Sequence, residues 1–274
     1  MLRKIRKTSD IAENSELLKE KYRVWNRNLK QIIICYYSFN LFLYLVLYLH
    51  DRVDFSNEGY IVNCYGVRPL NKSPNNEICV CVILVQEGFL QILLHTYQAV
   101  IIFIIFQCTI MYKILSEELR DLQSHSYDVV KVKIRYLIDQ YAVTLKAIED
   151  LKCLYSAAIG GNFAVTAFDM CLIIYLPVEE AANFSAILLH SFLVFFLYCF
   201  LCQRLINTSE VFERDIYGCG WENFEVKERI TINIMLMMAQ KPVELLAAKI
   251  VPVNIYTFAS TMQGIYQFLA VVKF

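Results

Sequence analysis

Polar side chains that recur at helical spacing inside long apolar runs are the residues in this sequence best placed to do chemistry. Glu87, Gln91, His95 and Gln98 fall at i, i+4, i+8 and i+11, so a helix carries them as one stripe. Asn162, Thr166 and Asp169 repeat the pattern at i, i+4 and i+7, and Gln263, Gln267 and Val271 follow at spacing four. In lipid such groups are costly and face other helices or a watery cavity. Hydrogen bonding between helices, worth about 1 kcal/mol or less per contact, accounts for any single one of them. Three aligned stripes together point to a water-accessible path or pocket. Tyr37, Tyr44 and Tyr48 share a face at i, i+7 and i+11. That face suits an aromatic-lined pocket for a small apolar ligand with one polar handle, or equally a helix–helix contact.

Catalysis has no comparable foothold. His50, His95, His125 and His190 stand singly in the sequence, without an HExxH pattern, and no GxSxG, Walker A or GxGxxG occurs. An enzyme is therefore not expected, and no cofactor is called for. Of ten cysteines, Cys35, Cys108, Cys153, Cys171, Cys199 and Cys202 lie in or at the ends of apolar runs, where a thiol behaves as a small apolar residue. Cys219 is expected on the cytoplasmic side, reduced. Cys64, Cys79 and Cys81 fall outside or at the outer boundary, where a disulfide is allowed but its pairing stays open. Cys79-Val80-Cys81 lacks a second ligand pair, so no metal site is expected.

The elements that must position the stripes are membrane helices. The chain has 274 residues, zero net charge, 57% hydrophobic and 19% charged residues, and a mean hydropathy of +0.43. A balanced charge gives no case for nucleic acid. A helix needs roughly 20 mostly apolar residues to cross a bilayer. Five runs qualify: Gln31–Leu49, Ile78–Leu115, Cys153–Leu176, Phe184–Cys202 and Val251–Val272. The second has no Pro, Asn or Asp to turn at, so it reads as one long helix that protrudes or tilts. Ile230–Ala239 is too short to cross and reads as a helix at the membrane surface. Gly160-Gly161 reads as a helix start that permits close packing. Lys and Arg fall 22 to 4 on alternate sides of these runs, which puts the N-terminus in the cytoplasm and the C-terminus outside. Met1–Lys7 is basic but is followed by acidic residues instead of an apolar core, so it is no secretory signal. Asn71-Lys72-Ser73 is a glycosylation sequon in the expected outer loop.

Motifs in the last 85 residues resemble the insect odorant receptors. Leu197-Tyr198-Cys199-Phe200 is followed by Asn207-Thr208-Ser209-Glu210 and then by Ile216-Tyr217-Gly218-Cys219-Gly220-Trp221. Met235-Leu236-Met237-Met238-Ala239-Gln240-Lys241-Pro242 and Leu246-Ala247-Ala248 match the family's cytoplasmic helix. Pro252-Val253, Phe258-Ala259-Ser260, Tyr266 and Phe268 stand in register with its final helix, while Gly264, Ile265 and Gln267 depart from the Thr, Ser and Ser the family favours. Gln267-Phe268 also echoes the ending of the related gustatory receptors, although Ser260-Thr261 stands where they have Thr-Tyr.

The resemblance implies an all-α, polytopic membrane bundle of seven spans. The five spans here, with their cytoplasmic helices, correspond to the third to seventh, so a chain shortened at its N-terminus is expected. Four segments follow: a cytoplasmic segment 1–30, a four-span bundle 31–206 with a ligand pocket in its outer half, cytoplasmic anchor helices 207–250, and a pore-lining last helix 251–274. The resemblance also implies an odorant-gated cation channel subunit of the plasma membrane, assembled as a tetramer with an odorant receptor co-receptor. On this reading a small volatile odorant binds among Tyr37, Phe42, Tyr44, Gln91 and His95. Gln263 and Gln267 hydrate cations in the pore, Val271 and Phe274 form an apolar gate, and Tyr217, Trp221, Met238, Gln240 and Pro242 anchor subunits. Two other readings are a non-conducting subunit that assembles with partners, and a gustatory-type receptor of the same superfamily.

Overall fold

The computed structural model describes residues 16–44, 75–122, 127–177 and 185–273. Its helices are α1 (Glu16–Phe42), α2 (Asn75–Asp121), α3 (Tyr127–Tyr175), α4 (Ser185–Tyr217), α5 (Val226–Ala239) and α6 (Ile255–Lys273). A single 3-10 turn, Trp221–Asn223, precedes α5, and two short strands, β1 (Leu246–Ala247) and β2 (Val251–Pro252), separate α5 from α6. The run 78–115 is one helix, as the lack of a turn residue requires. At 47 residues α2 is about 70 Å long, more than twice the bilayer core. It therefore extends well beyond the lipid.

Several expectations change at the element ends. The helix that carries the third run begins well before Cys153, because the charged stretch before it continues the same helix back to Tyr127. Gly160-Gly161 accordingly lies inside α3 rather than at a helix start. Likewise α4 runs unbroken across 206–207, and α1 already begins within the segment 1–30. Leu246-Ala247 is strand, not the helix the motif match implied. Among the described residues, three helices, α2, α3 and α4, are long and apolar enough to cross a membrane. The described part of α1 ends at Phe42, short of Leu49.

Packing is densest away from the polar stripes. α2 packs chiefly on α4, with α3 against both and α1 against α2. Here Tyr112 of α2, Tyr141 of α3 and Phe212 of α4 meet with ring centroids 5.0–6.4 Å apart. Leu115, Leu119, Leu137, Leu151 and Ile216 complete this core, each at most 1% exposed. Ion pairs between Arg120 and Asp215 and between Lys133 and Asp121, both at 2.8 Å, tie the same helices together at their ends. Arg120 is well exposed, so its pair contributes little.

The β1–β2 hairpin joins α5 to the last helix. It pairs Leu246 with Pro252 and Ala247 with Val251. Ala248 and Lys249 hold φ of 51° and 61°, and the Ile250 N–H donates to the Ala247 carbonyl at 3.0 Å, closing a tight turn. Left-handed backbone costs a residue with a Cβ roughly 1–2 kcal/mol, so something must hold this turn. Ser156 of α3 does. Its carbonyl accepts the Ala248 N–H at 2.8 Å, its hydroxyl donates to the Leu246 carbonyl at 2.6 Å, and the same oxygen accepts the Lys249 N–H at 2.8 Å. One turn further on, Gly160 lets the hairpin approach: a Cβ there would stand 2.6 Å from both the backbone N and the Cβ of Ala248. Beyond the hairpin Asn254 caps α6, its side-chain oxygen accepting the Thr257 N–H at 2.8 Å.

Candidate functional site

Four helices converge on a cavity of about 630 Å³. Asn40, Leu43 and Tyr44 reach it from the end of α1, and Gln91, His95, Gln98 and Ile101 from α2. α3 contributes Gly161, Asn162, Val165, Thr166 and Asp169, and α4 contributes His190, Ser191, Val194 and Tyr198. Two of the stripes thus face one another across a common space. Glu87, the first member of the α2 stripe, has a side chain outside the described set. The lining mixes apolar walls with a few convergent polar groups, the usual make-up of a small-molecule site.

The expected ligand residues divide. Tyr44, Gln91 and His95 line the cavity. Tyr37 and Phe42 do not: both are exposed, and Tyr37 donates to the Thr96 hydroxyl at 3.2 Å. The helical phase explains the correction. Tyr36, Asn40 and Leu43 are the buried face of α1 at i, i+4 and i+7, and Tyr37 lies about 100° round from it. Tyr48 falls outside the described residues. With aromatics on every side of α1, composition did not mark which face turns inward.

Hydrogen bonds fix the polar lining. Tyr36 donates to the Gln98 side-chain carbonyl, and the Asn40 amide donates to the Tyr36 carbonyl at 2.7 Å. The Tyr198 hydroxyl points at the Gln98 carbonyl at 3.4 Å. The His95 Nδ1 lies 2.6 Å from the Gln91 carbonyl. A carbonyl can only accept, so that nitrogen carries the proton, and Nε2 is left as an acceptor in the neutral ring. The histidines are not solitary after all: the His95 and His190 rings lie 5.2 Å apart. They are 95 residues apart in sequence, and no local pattern announces the pair. His190, Ser191, Tyr198 and Asn40 are cavity residues that the sequence reading missed.

The last helix is the second feature of interest. Phe258 wedges among Phe192, Phe195 and Phe196 of α4 at 5.3–5.5 Å, and Ile265 is also buried. The opposite face is bare. Gln263, Gln267 and Val271 are all exposed on it, Val271 at 82%. Phe274 lies outside the described residues. Of the expected anchor residues, Tyr217, Met238, Gln240 and Pro242 are exposed, while Trp221 is half-buried with its indole N–H donating to the Tyr217 carbonyl at 3.1 Å. Cys79 is disulfide-bonded and Cys81 is a free thiol, which narrows the outer cysteines. Cys64 and the Asn71 sequon are outside the described residues. No cluster of three metal-ligating side chains occurs among the described residues.

The family model of the 7tm odorant receptors matches residues 2–266. The chain belongs to the odorant receptor family. Among its relatives, the odorant receptor coreceptor of Aedes aegypti is 22% identical over 149 residues, which is 52% of this chain and 31% of that protein. Odorant receptor 49a of Drosophila melanogaster is 22% identical over 145 residues, 50% of this receptor and 36% of its relative. The matches thus span about a third of these proteins' own length. The solved structure of the insect olfactory receptor OR5 from Machilis hrabei superposes with a TM-score of 0.78 at 16% identity, covering 98% of this chain and 69% of that one. The same protein in complex with eugenol gives a TM-score of 0.75 at 15% identity. The chain is therefore an all-α, multi-pass membrane bundle of the odorant receptor family.

Proposed function

We propose that this receptor is an odorant-gated cation channel subunit of the plasma membrane that works in a tetramer with an odorant receptor co-receptor. A small volatile molecule binds in the four-helix cavity, with Tyr44, Gln91 and His95 among its contacts. The observation that carries the reading is the stretch of α3 from Ser156 to Asn162. Its cavity side presents Ile159, Gly161 and Asn162, and its other side holds the hairpin that leads into α6 through Ser156 and Gly160. A ligand that favours one position of α3 thereby biases α6, because a shift in population requires only a difference in affinity between two states.

On this reading the bare face of α6 lines a pore between subunits. Gln263 and Gln267 offer amides to hydrated cations, and Val271 with Phe274 forms an apolar constriction that dewets when closed. Tyr217, Trp221, Met238, Gln240 and Pro242 hold the subunits together on the cytoplasmic side, with the N-terminus cytoplasmic and the C-terminus extracellular. The test is co-expression with a co-receptor in voltage-clamped cells. A volatile-evoked cation current is expected, and Gln267→Ala should shift the relative permeability of sodium and calcium or the unitary conductance. Unchanged permeation in Gln267→Ala would remove that residue from the pore. A chain that reaches the surface and only dampens its partner's current would instead be the non-conducting assembly subunit.

A further inference from the structure

We infer that the cavity selects small organic amines in their protonated form, with Asp169 as the counter-ion. The inference rests on the cavity being the ligand site proposed above, and adds what kind of molecule enters it. Asp169 lies on the cavity face of α3, within a helix long and apolar enough to cross a membrane. It makes no ion pair or hydrogen bond with a described residue. Among the described residues, no lysine or arginine lines the cavity to neutralise it. A carboxylate that faces a cavity from a helix of membrane-spanning length, unpaired among the described residues, marks a place where a cation or proton is received.

The rest of the lining is biased the same way. His95 spends its Nδ1 proton on the Gln91 carbonyl, so that proton is not offered to a ligand. His190, whose ring lies against that of His95, makes no hydrogen bond with a described residue. Tyr97 and Tyr198 add aromatic rings to the wall, and ring faces attract an ammonium group. Among the described residues, the lining is rich in acceptors and holds no lysine or arginine. An ammonium group brings the donors and the charge that it lacks, while its alkyl chain suits Ile101, Val165 and Val194. A carboxylic acid, ionised at neutral pH, is repelled by Asp169.

The experiment uses the purified 274-residue chain in lipid nanodiscs at neutral pH, with affinity read from thermal stabilisation by hexylamine, hexanol or hexanoic acid. Since charge-assisted hydrogen bonds are about twice as strong as neutral ones, hexylamine should bind roughly tenfold more tightly than hexanol. Hexanoic acid should bind weakest. Asp169→Asn should collapse the preference for amine over alcohol to about twofold or less, because the amide keeps the shape and removes the charge. Hexanol binding as tightly as hexylamine, or an undiminished amine preference in Asp169→Asn, overturns the inference while leaving the cavity a ligand site. Failure of all three ligands to stabilise the chain overturns the cavity reading and the amine with it. The comparison of the two isosteric ligands on the unaltered chain decides the matter even if the variant does not fold.

Discussion

Gly160→Ala is expected to destabilise the receptor and to silence it, while Gly161→Ala, one residue on, does neither. The two positions share a helix, and alanine is the better helix former at both, favoured by roughly 1 kcal/mol. What differs is the surroundings. A Cβ at position 160 would meet the backbone N, Cα and Cβ of Ala248 at 2.6–3.0 Å, whereas one at 161 meets nothing within 4 Å. Backbone cannot rotate aside as a side-chain tip can, so the hairpin must move off α3. Three hydrogen bonds to Ser156 then stretch or break. Each is worth about 1 kcal/mol net, and a buried hydroxyl left unpaired costs about 1–3 more. A loss of roughly 2–4 kcal/mol is expected for Gly160→Ala, against a small gain for Gly161→Ala. Melting temperatures of both variants in nanodiscs measure this directly. If the hairpin carries the ligand's effect to α6, Gly160→Ala also loses evoked current while still being stabilised by ligand. Two variants of equal stability would show that the close approach is of no consequence.

Phe212→Ala should be the most damaging change in the core. Phe212 is fully buried and touches both Tyr112 and Tyr141, so it joins α2, α3 and α4 at one point. Truncating a buried phenylalanine costs about 3–5 kcal/mol, partly lost transfer energy and partly the cavity left behind. Little of the chain should then reach the cell surface. Tyr112→Phe next to it is expected to be neutral or mildly stabilising. The Tyr112 hydroxyl is buried without a hydrogen-bond partner among the described residues, so removing it relieves an unpaid desolvation. Surface biotinylation of the two variants separates them: a strong loss for Phe212→Ala and none for Tyr112→Phe. Equal expression would mean that this aromatic cluster does not hold the helices together.

Periodicity was the legible part of this protein. The absence of any turn residue between Ile78 and Leu115 was enough to make α2 one helix. Spacing alone brought Gln91, His95 and Gln98 onto one face and Asn162, Thr166 and Asp169 onto another, and both faces meet at the cavity. The same logic aligned Gln263, Gln267 and Val271, which share the bare side of α6. Where periodicity was ambiguous it failed. α1 is aromatic all round, so Tyr37 and Phe42 were as plausible as the Tyr36 and Asn40 that turn inward. The N-terminal half of α3 alternates Lys, Asp and Glu with apolar residues and reads as a charged loop when only membrane-length runs are sought. The hairpin was invisible for a different reason. Its two-residue strands carry no pattern, its left-handed turn uses Ala248 and Lys249 instead of glycine, and its clasp joins Ser156 to residues some 90 positions away.

The cavity as the seat of ligand action is most directly tested by filling it. Gly161 lines the cavity and has open space beyond its Cα, so Gly161→Trp should occupy the volume without displacing the hairpin on the far side of α3. In cells co-expressing an odorant receptor co-receptor, with surface density matched by biotinylation, the unaltered chain should give an evoked cation current and Gly161→Trp none. An undiminished current from Gly161→Trp, with the same ligand and the same concentration dependence, would contradict the assignment of this cavity.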